Sequence, residues 1–347
     1  MPDLVATVVV PTLAADRRLL ECLESLAKQT QRGFEVIVVD NSGRGLVERQ
    51  FVQGKVAPRR QDSPPEIRVI ENSRNVGFGA AINQGLLASS ARYLATLNDD
   101  AVAHPGWLEA LVRALDRRPD AGMCASQVRL YGENRLDSAG MLLARDGSSK
   151  QRGHGKAPED FPVEEEVLLP SGSAAMYRRA MLEEIGGFDE HFFLYCEDTD
   201  LGLRGRWRGW KCLYTPLAVV EHHYSHSAGE ASPLKAYLVE RNRLFVLAKN
   251  FPARMLGPAP FAAAARYFWH FLYLAQGRGS AARFRAGGHN VARMLWYVIQ
   301  AHLSAVRHGQ WLWRERRHIQ QGARITPAVF RFLARAGEIG ARRLAEQ

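Results

Sequence analysis

At 347 residues, with 46% hydrophobic and 24% charged residues, the chain is long enough for a catalytic domain plus an appendage and apolar enough to bury a core. Its cysteines, Cys22, Cys124, Cys196 and Cys212, are far apart and form no C-x-x-C pair, which argues against a disulfide framework and fits a reducing compartment. The formal charge of +10 is unevenly shared: residues 231–347 hold 19 Lys and Arg against 4 Asp and Glu, whereas residues 1–230 hold 27 against 32.

A mildly acidic body with a basic tail points to a polyanionic partner, membrane or nucleic acid, with a merely solvated charged face as the plainer reading. The opening Met1-Pro2-Asp3-Leu4 lacks the basic-then-apolar pattern of a signal peptide, so cytoplasmic residence is the expectation.

In chain order, the valine-rich run Val5–Val10 reads as a strand buried on both faces, ended by Pro11. A helix with Leu19, Leu20, Leu23 and Leu26 at helical spacing follows, with Asp16 placed to cap it. Glu35–Val39 is a second buried strand, running into Asp40-Asn41-Ser42-Gly43. This β-α-β opening predicts a parallel sheet with a right-handed crossover. Residues 43–65 read as loop or frayed helix, Ile67–Ile70 as a strand, Gly79–Ser89 as a helix and Tyr93–Leu97 as a strand leading into Asn98-Asp99-Asp100. Pro105 suits a helical first turn ahead of Trp107, Leu108, Leu111, Val112 and Leu115. Residues 132–168, rich in Gly, Ser and charge, read as a mobile flap.

Asp40 and Asp100 both fall at C-terminal ends of predicted parallel strands, the edge where open α/β sheets hold ligands. The first strand-to-helix turn, Pro11-Thr12-Leu13-Ala14-Ala15-Asp16, contains no glycine, and no phosphate-loop motif occurs. A dehydrogenase or ATPase is therefore disfavoured. A bound diphosphate would need a divalent metal, and a carboxylate such as Asp100 with phosphate oxygens and water suits Mg²⁺ or Mn²⁺. An Asp-Asp pair at a strand end also caps turns.

Glu197-Asp198-Thr199-Asp200 brings three acids into four positions beside the aromatic stretch Phe188–Tyr195, costly to bury without work or partners. Acids at a helix start also complement the helix dipole, so one can act as a base while Asp200 orders the turn against Arg204. His222-His223-Tyr224-Ser225-His226 supplies imidazoles for a metal shell, which tilts preference from Mg²⁺ towards Mn²⁺.

The ordered set Val8–Thr12, Val38–Ser42, Asn72–Phe78 with Asn83, Leu97–Asp100, Ser171–Met176, Gly186–Glu190 and Glu197–Leu201 with Arg204 and Gly209 resembles the family 2 inverting glycosyltransferases of GT-A fold, in a rhamnosyltransferase-like branch. The resemblance implies a mostly parallel α/β sheet flanked by helices across residues 1–230, followed by a helical, basic region at 231–347. It implies a nucleotide-sugar site from Pro11, Thr12, Asp40, Asn41, Asn75, Gly77, Asn83, Asn98 and Asp99, and a metal site from Asp100 and His222. Asp198 matches the general base, with Ser171, Gly172 and Glu197 on the acceptor side. Asn98 stands where the family's metal-binding motif has its first acid. His222 is the histidine five residues before Ser227, with His223 and His226 as alternatives.

The implied cofactor is Mn²⁺ or Mg²⁺. The implied partners are a dTDP- or UDP-sugar and a saccharide or lipid-linked acceptor, for transfer in cell-surface polysaccharide assembly. Rhamnose is favoured; galactofuranosyl and other hexosyl transfer use the same motifs. Residues 255–275 approach bilayer-spanning length, but Arg266, His270 and two prolines favour an interfacial helix on anionic lipid, or a packed or oligomer-contact helix. A peripheral position on the inner face of the cell membrane follows. Nucleic-acid binding lacks a recognisable module, and a sugar-nucleotide nucleotidyltransferase would want a glycine-rich, basic first turn.

Overall fold

The computed structural model describes residues 4–14, 16–52, 65–223, 232–288, 290 and 292–346. Its strands are β1 (Ala6–Thr12), β2 (Phe34–Asp40), β3 (Glu66–Glu71), β4 (Tyr93–Leu97), β5 (Ala101–Ala103), β6 (Ala121–Leu130), β7 (Leu136–Ser138), β8 (Met141–Leu143), β9 (Ser149–Gln151), β10 (Glu165–Val167), β11 (Ala174–Arg178) and β12 (Lys211–His222). The helices are α1 (Arg17–Ala27), α2 (Leu46–Val52), α3 (Phe78–Leu87), α4 (Trp107–Arg117), α5 (Arg179–Ile185), α6 (Glu197–Trp207) and α7 (Pro233–Asn250). They continue with α8 (Ala253–Leu256), α9 (Ala259–Ala275), α10 (Gly279–Ala286), α11 (Ala292–Arg307), α12 (Gly309–Gln321), α13 (Pro327–Ala336) and α14 (Ala341–Glu346).

The valine runs become what continuous apolar stretches favour. Strands β3, β2, β1 and β4 lie side by side and parallel, with β1 and β2 sealed by helices. Beyond β4 the ten-stranded mixed sheet continues through antiparallel β11, then β6 and its parallel neighbour β12. Helix α1 is capped as expected, the Asp16 carboxylate accepting from the N–H groups of Arg18 and Leu19. It buries Leu19, Cys22, Leu23 and Leu26. Helix α4 buries its predicted stripe but begins at Trp107, so Pro105 precedes the helix instead of opening it.

The segment 132–168 is not a featureless flap. It holds β7 to β10, and Asp137, Ser138 and Asp146 within it are buried. The small residues build tight turns: the Ser138 hydroxyl donates to the carbonyl of Gly140, whose φ of +105° suits glycine.

Two compact units emerge. The first comprises residues 1–140, 151–193 and 210–224 and contains the sheet; the second comprises 141–150, 194–209 and 225–347 and is mainly helical. The expected boundary at residues 230 and 231 lies outside the described residues, and α6 belongs to the second unit. There, Trp207 stacks on Phe330 with ring centroids 4.6 Å apart and donates its indole N–H to the Asn250 carbonyl. Residues 255–275 fall largely into α9, and among the described residues no helix is long and apolar enough to cross a membrane.

Candidate active site

In the first unit, parallel register brings Thr12 of β1 beside Asp40 of β2, and the Asn41 N–H donates to the Thr12 carbonyl. The Thr12 hydroxyl reaches Oδ2 of Asp99 at 2.6 Å, tying the end of β1 to the turn after β4. Asp40 is almost fully buried, and each of its oxygens accepts a backbone N–H, from Ser42 and from Val47. Burial pushes against ionisation, yet these hydrogen bonds hold the carboxyl below its ordinary range. Pro11 is the penultimate residue of β1.

A polar ladder continues along this edge. Asn72 donates to Asn41 and exchanges amide hydrogen bonds with Gln84, while Asn41 donates to the Gly77 carbonyl. Asn75 accepts from the Gly77 N–H. Gly77 has a φ of +90°, and a Cβ there would stand 2.3 Å from the Phe193 carbonyl oxygen, which accepts from the Phe78 N–H. The protein's own packing therefore demands this glycine. Asn83 clamps the chain at Phe188, donating to its carbonyl and accepting from its N–H, and donates also to Glu190. Its amide is thus occupied by the protein.

The acids after β4 meet β12. Nε2 of His222 lies 3.1 Å from Oδ1 of Asp100 and 3.2 Å from the Asn98 amide nitrogen. Nδ1 of the same ring lies 2.9 Å from Oδ2 of Asp137, which also contacts His154. Burial disfavours the imidazolium, but the two carboxylates overcome it and push His222 up to about 10. Burial, with the Asp100 charge adding to it, raises Asp99 to about 7. His223 turns elsewhere, stacking on Tyr131 with its backbone N–H on the Asp100 carbonyl; His226 lies outside the described residues. Asn98 donates its backbone N–H to Ser173, whose hydroxyl meets that of Ser171 beside Gly172.

These residues suit a divalent cation. Two octahedral ligands at about 2.1 Å from a metal stand about 3 Å apart when adjacent, the spacing of the Asp100 oxygen and the His222 nitrogen. Among the described residues no third His, Cys, Asp or Glu completes a cage. Such an open donor set leaves positions for phosphate oxygens and water. Asp137 carried no sequence signal: it is a single acid in a segment read as mobile.

In the second unit, Asp198 sits in the first turn of α6. Its Oδ1 accepts the Thr199 N–H at 2.6 Å, and the Thr199 hydroxyl meets that of Ser149 at 2.7 Å. Glu197 is buried, and among the described residues its Oε2 has no hydrogen-bond partner. Burial, then the Asp198 charge, push it up to about 8, so it holds a proton at neutral pH. Asp200 orders the turn as expected: Arg204 bonds it at 2.8 Å, and Lys249 and Asn250 of α7 add bonds at 2.9 and 2.8 Å. Before α6, Tyr195 and Cys196 adopt left-handed backbone, with φ of 71° and 65°. The Asn242 amide holds this turn through the carbonyls of Leu194 and Tyr195.

Residues 7–186 match the model of glycosyl transferase family 2. The chain is 31% identical over 258 residues to the N-acetylglucosaminyl-diphospho-decaprenol L-rhamnosyltransferase of Mycobacterium tuberculosis strain H37Rv, covering 67% of this chain and 81% of that protein. Among solved structures, GalNAc-T7 with UDP, GalNAc and Mn²⁺ superposes with a TM-score of 0.57 at 14% identity, over 76% of this chain and 51% of the other. The Pyrobaculum calidifontis mannosyltransferase PcManGT in complex with GDP-Man and Mn²⁺ gives 0.50 at 17% identity, over 93% and 86%. The chain therefore belongs to glycosyltransferase family 2 and has the GT-A fold.

Proposed function

We propose that this glycosyltransferase moves rhamnose from a dTDP- or UDP-linked donor to a hydroxyl of a lipid-linked saccharide, with inversion and with the help of Mn²⁺ or Mg²⁺. The observation that carries the reading is the pairing of Asp100 with His222 on the sheet edge where Thr12, Asp40 and Asn41 converge. The rhamnosyltransferase relative, which acts on a diphospho-decaprenol acceptor, supports the sugar and the acceptor class. The manganese and nucleotides bound in those two solved structures support metal and donor.

In this reading Asp40, Asn41 and Asn75 receive the nucleotide, with Pro11, Thr12, Gly77, Asn83, Asn98 and Asp99 shaping the donor site. Asp100 and His222 hold the cation, which when bound stabilises charge on the departing diphosphate. Asp198, oriented through Thr199 and Ser149, takes the proton from the attacking hydroxyl. Glu197, Ser171 and Gly172 serve the acceptor side, Glu197 as a protonated donor of a hydrogen bond. Residues 1–230 form the catalytic domain, and the basic helices of 231–347 dock on an anionic membrane surface at the cytoplasmic face.

Calorimetric titration with dTDP and UDP, each with and without Mn²⁺, tests the donor site. Metal-dependent binding that favours dTDP is expected; no binding of either nucleotide with metal present would refute the assignment.

A further inference from the structure

The second unit contains a small cavity of about 140 Å³. Its lining includes the apolar residues Leu143, Phe251, Met255 and Pro258. The lining also carries Arg145, Arg254, Arg331 and Arg335, with Glu338 as its sole carboxylate. That carboxylate is engaged: Arg145 donates to it through Nε at 2.7 Å. Among the described residues no carboxylate lies within ion-pair distance of Arg254, Arg331 or Arg335. Arg331 and Arg335 are four residues apart on α13, where like charges repel without a counter-ion. Three guanidinium groups and apolar side chains lining one cavity are matched by a phosphate bearing an apolar tail, because the guanidinium fork fits phosphate oxygens in pairs.

The size and surroundings narrow the ligand. Ligand pockets commonly measure ~300–1,000 Å³, so this one suits a headgroup phosphate and not a sugar nucleotide. Phe332, beside Arg331 on α13, is 71% exposed, and Phe261, in the first turn of α9 after Pro258, is 78% exposed. Arginines flanked by exposed aromatics are the composition of an anionic bilayer interface. The pocket also lies far from the acid at the start of α6. Its lining residue Phe251 packs edge-on against Phe330, which stacks on Trp207 at the other end of that helix. Asp198 and Trp207 are separated by about 14 Å of helix, at ~1.5 Å per residue. A phosphate held here serves anchoring better than it serves a reacting acceptor.

We propose that this cavity binds the phosphate of an anionic phospholipid headgroup and anchors the second unit on the bilayer. The proposal rests on the membrane-surface part of the functional reading and gives it a defined site in place of diffuse charge.

The test is sedimentation of the full chain with phosphatidylcholine vesicles, with and without phosphatidylglycerol. The pocket variant carries Arg254→Gln, Arg331→Gln and Arg335→Gln; a control with Arg293→Gln, Arg307→Gln and Arg314→Gln removes equal charge elsewhere. Wild type is expected to bind only the vesicles with phosphatidylglycerol. The pocket variant should lose about a hundredfold in affinity, and at least about tenfold more than the control. Calorimetry with a soluble short-chain phosphatidylglycerol should show binding to wild type and none to the pocket variant, with unchanged thermal midpoints. Equal losses in the two variants, or loss of farnesyl diphosphate binding with vesicle binding intact, would overturn the proposal. Vesicle binding is read without donor, so a wild type that transfers no sugar would count against the functional reading alone.

Discussion

Nδ1 of His222 rests 2.9 Å from Oδ2 of Asp137, a carboxylate that precedes it by 85 residues and is 2% exposed. The Asp137 carboxylate holds Nδ1 as a donor, so a cation that displaces the Nε2 proton would meet a lone pair already aimed at the Asp100 side. Asp137→Asn should therefore weaken Mn²⁺ binding by about 10–100-fold. Calorimetry reads the affinity, and nitrogen NMR of the metal-free protein reads the titration of the ring, which should fall when the Asp137 charge is removed. An unchanged affinity and an unchanged ring titration would reduce Asp137 to a packing residue.

Asp100→Ala should weaken nucleotide binding mainly when Mn²⁺ is present. The measurement is one titration series run in metal and repeated in chelator; equal weakening in both would remove Asp100 from the metal site.

Asp198→Asn keeps the shape of the first turn of α6 and removes the carboxylate proposed as the base. Donor binding should persist while transfer falls by about 10²–10⁴-fold. Near-normal turnover would transfer the base role elsewhere.

Glu240 gives the second unit an acid-sensitive element. Burial opposes its ionisation, yet Arg266 and Arg243 hold the carboxyl down to about 2 from its ordinary 4.5. Because the folded value is depressed, its stabilisation is complete above about pH 4.5 and is lost as pH falls towards 2. The contribution is on the order of 3 kcal/mol. Thermal unfolding of wild type and Glu240→Gln at stepped pH should show the gap between them narrowing across that window; a constant gap would contradict the coupling.

Gly77→Ala forces a Cβ against the Phe193 carbonyl at a positive φ. The strain should cost ~1–3 kcal/mol and lower the unfolding midpoint by several degrees. A neutral result would mean that the turn relaxes freely.

The sheet was readable because Val8–Val10 and Val36–Val39 are continuous apolar runs, and such runs in a β-α-β order leave few topologies. Asp40 and Asp100 were readable for a related reason, since a polar residue that ends a buried strand lies on the ligand edge. Asp137 was not, because its neighbours are glycine, serine and charge and its partner is distant in sequence. The extent of the helical unit was also hidden. Residues 141–150 and 194–209 join it through contacts such as Ser149 with Thr199 and Lys249 with Asp200, which no local pattern announces.

Asp198 and Asp200 share one helical turn, and Asp200 is sealed at 0% exposure against Lys249 of α7. Breaking such a buried pair from one side typically costs ~3–5 kcal/mol, and here the damage arrives two residues from the proposed base. A mutational screen scored on activity alone would thus rank Lys249 among the residues that perform the chemistry. Scoring protein abundance alongside turnover would return it to its true place, as the fastening of the helix that carries Asp198.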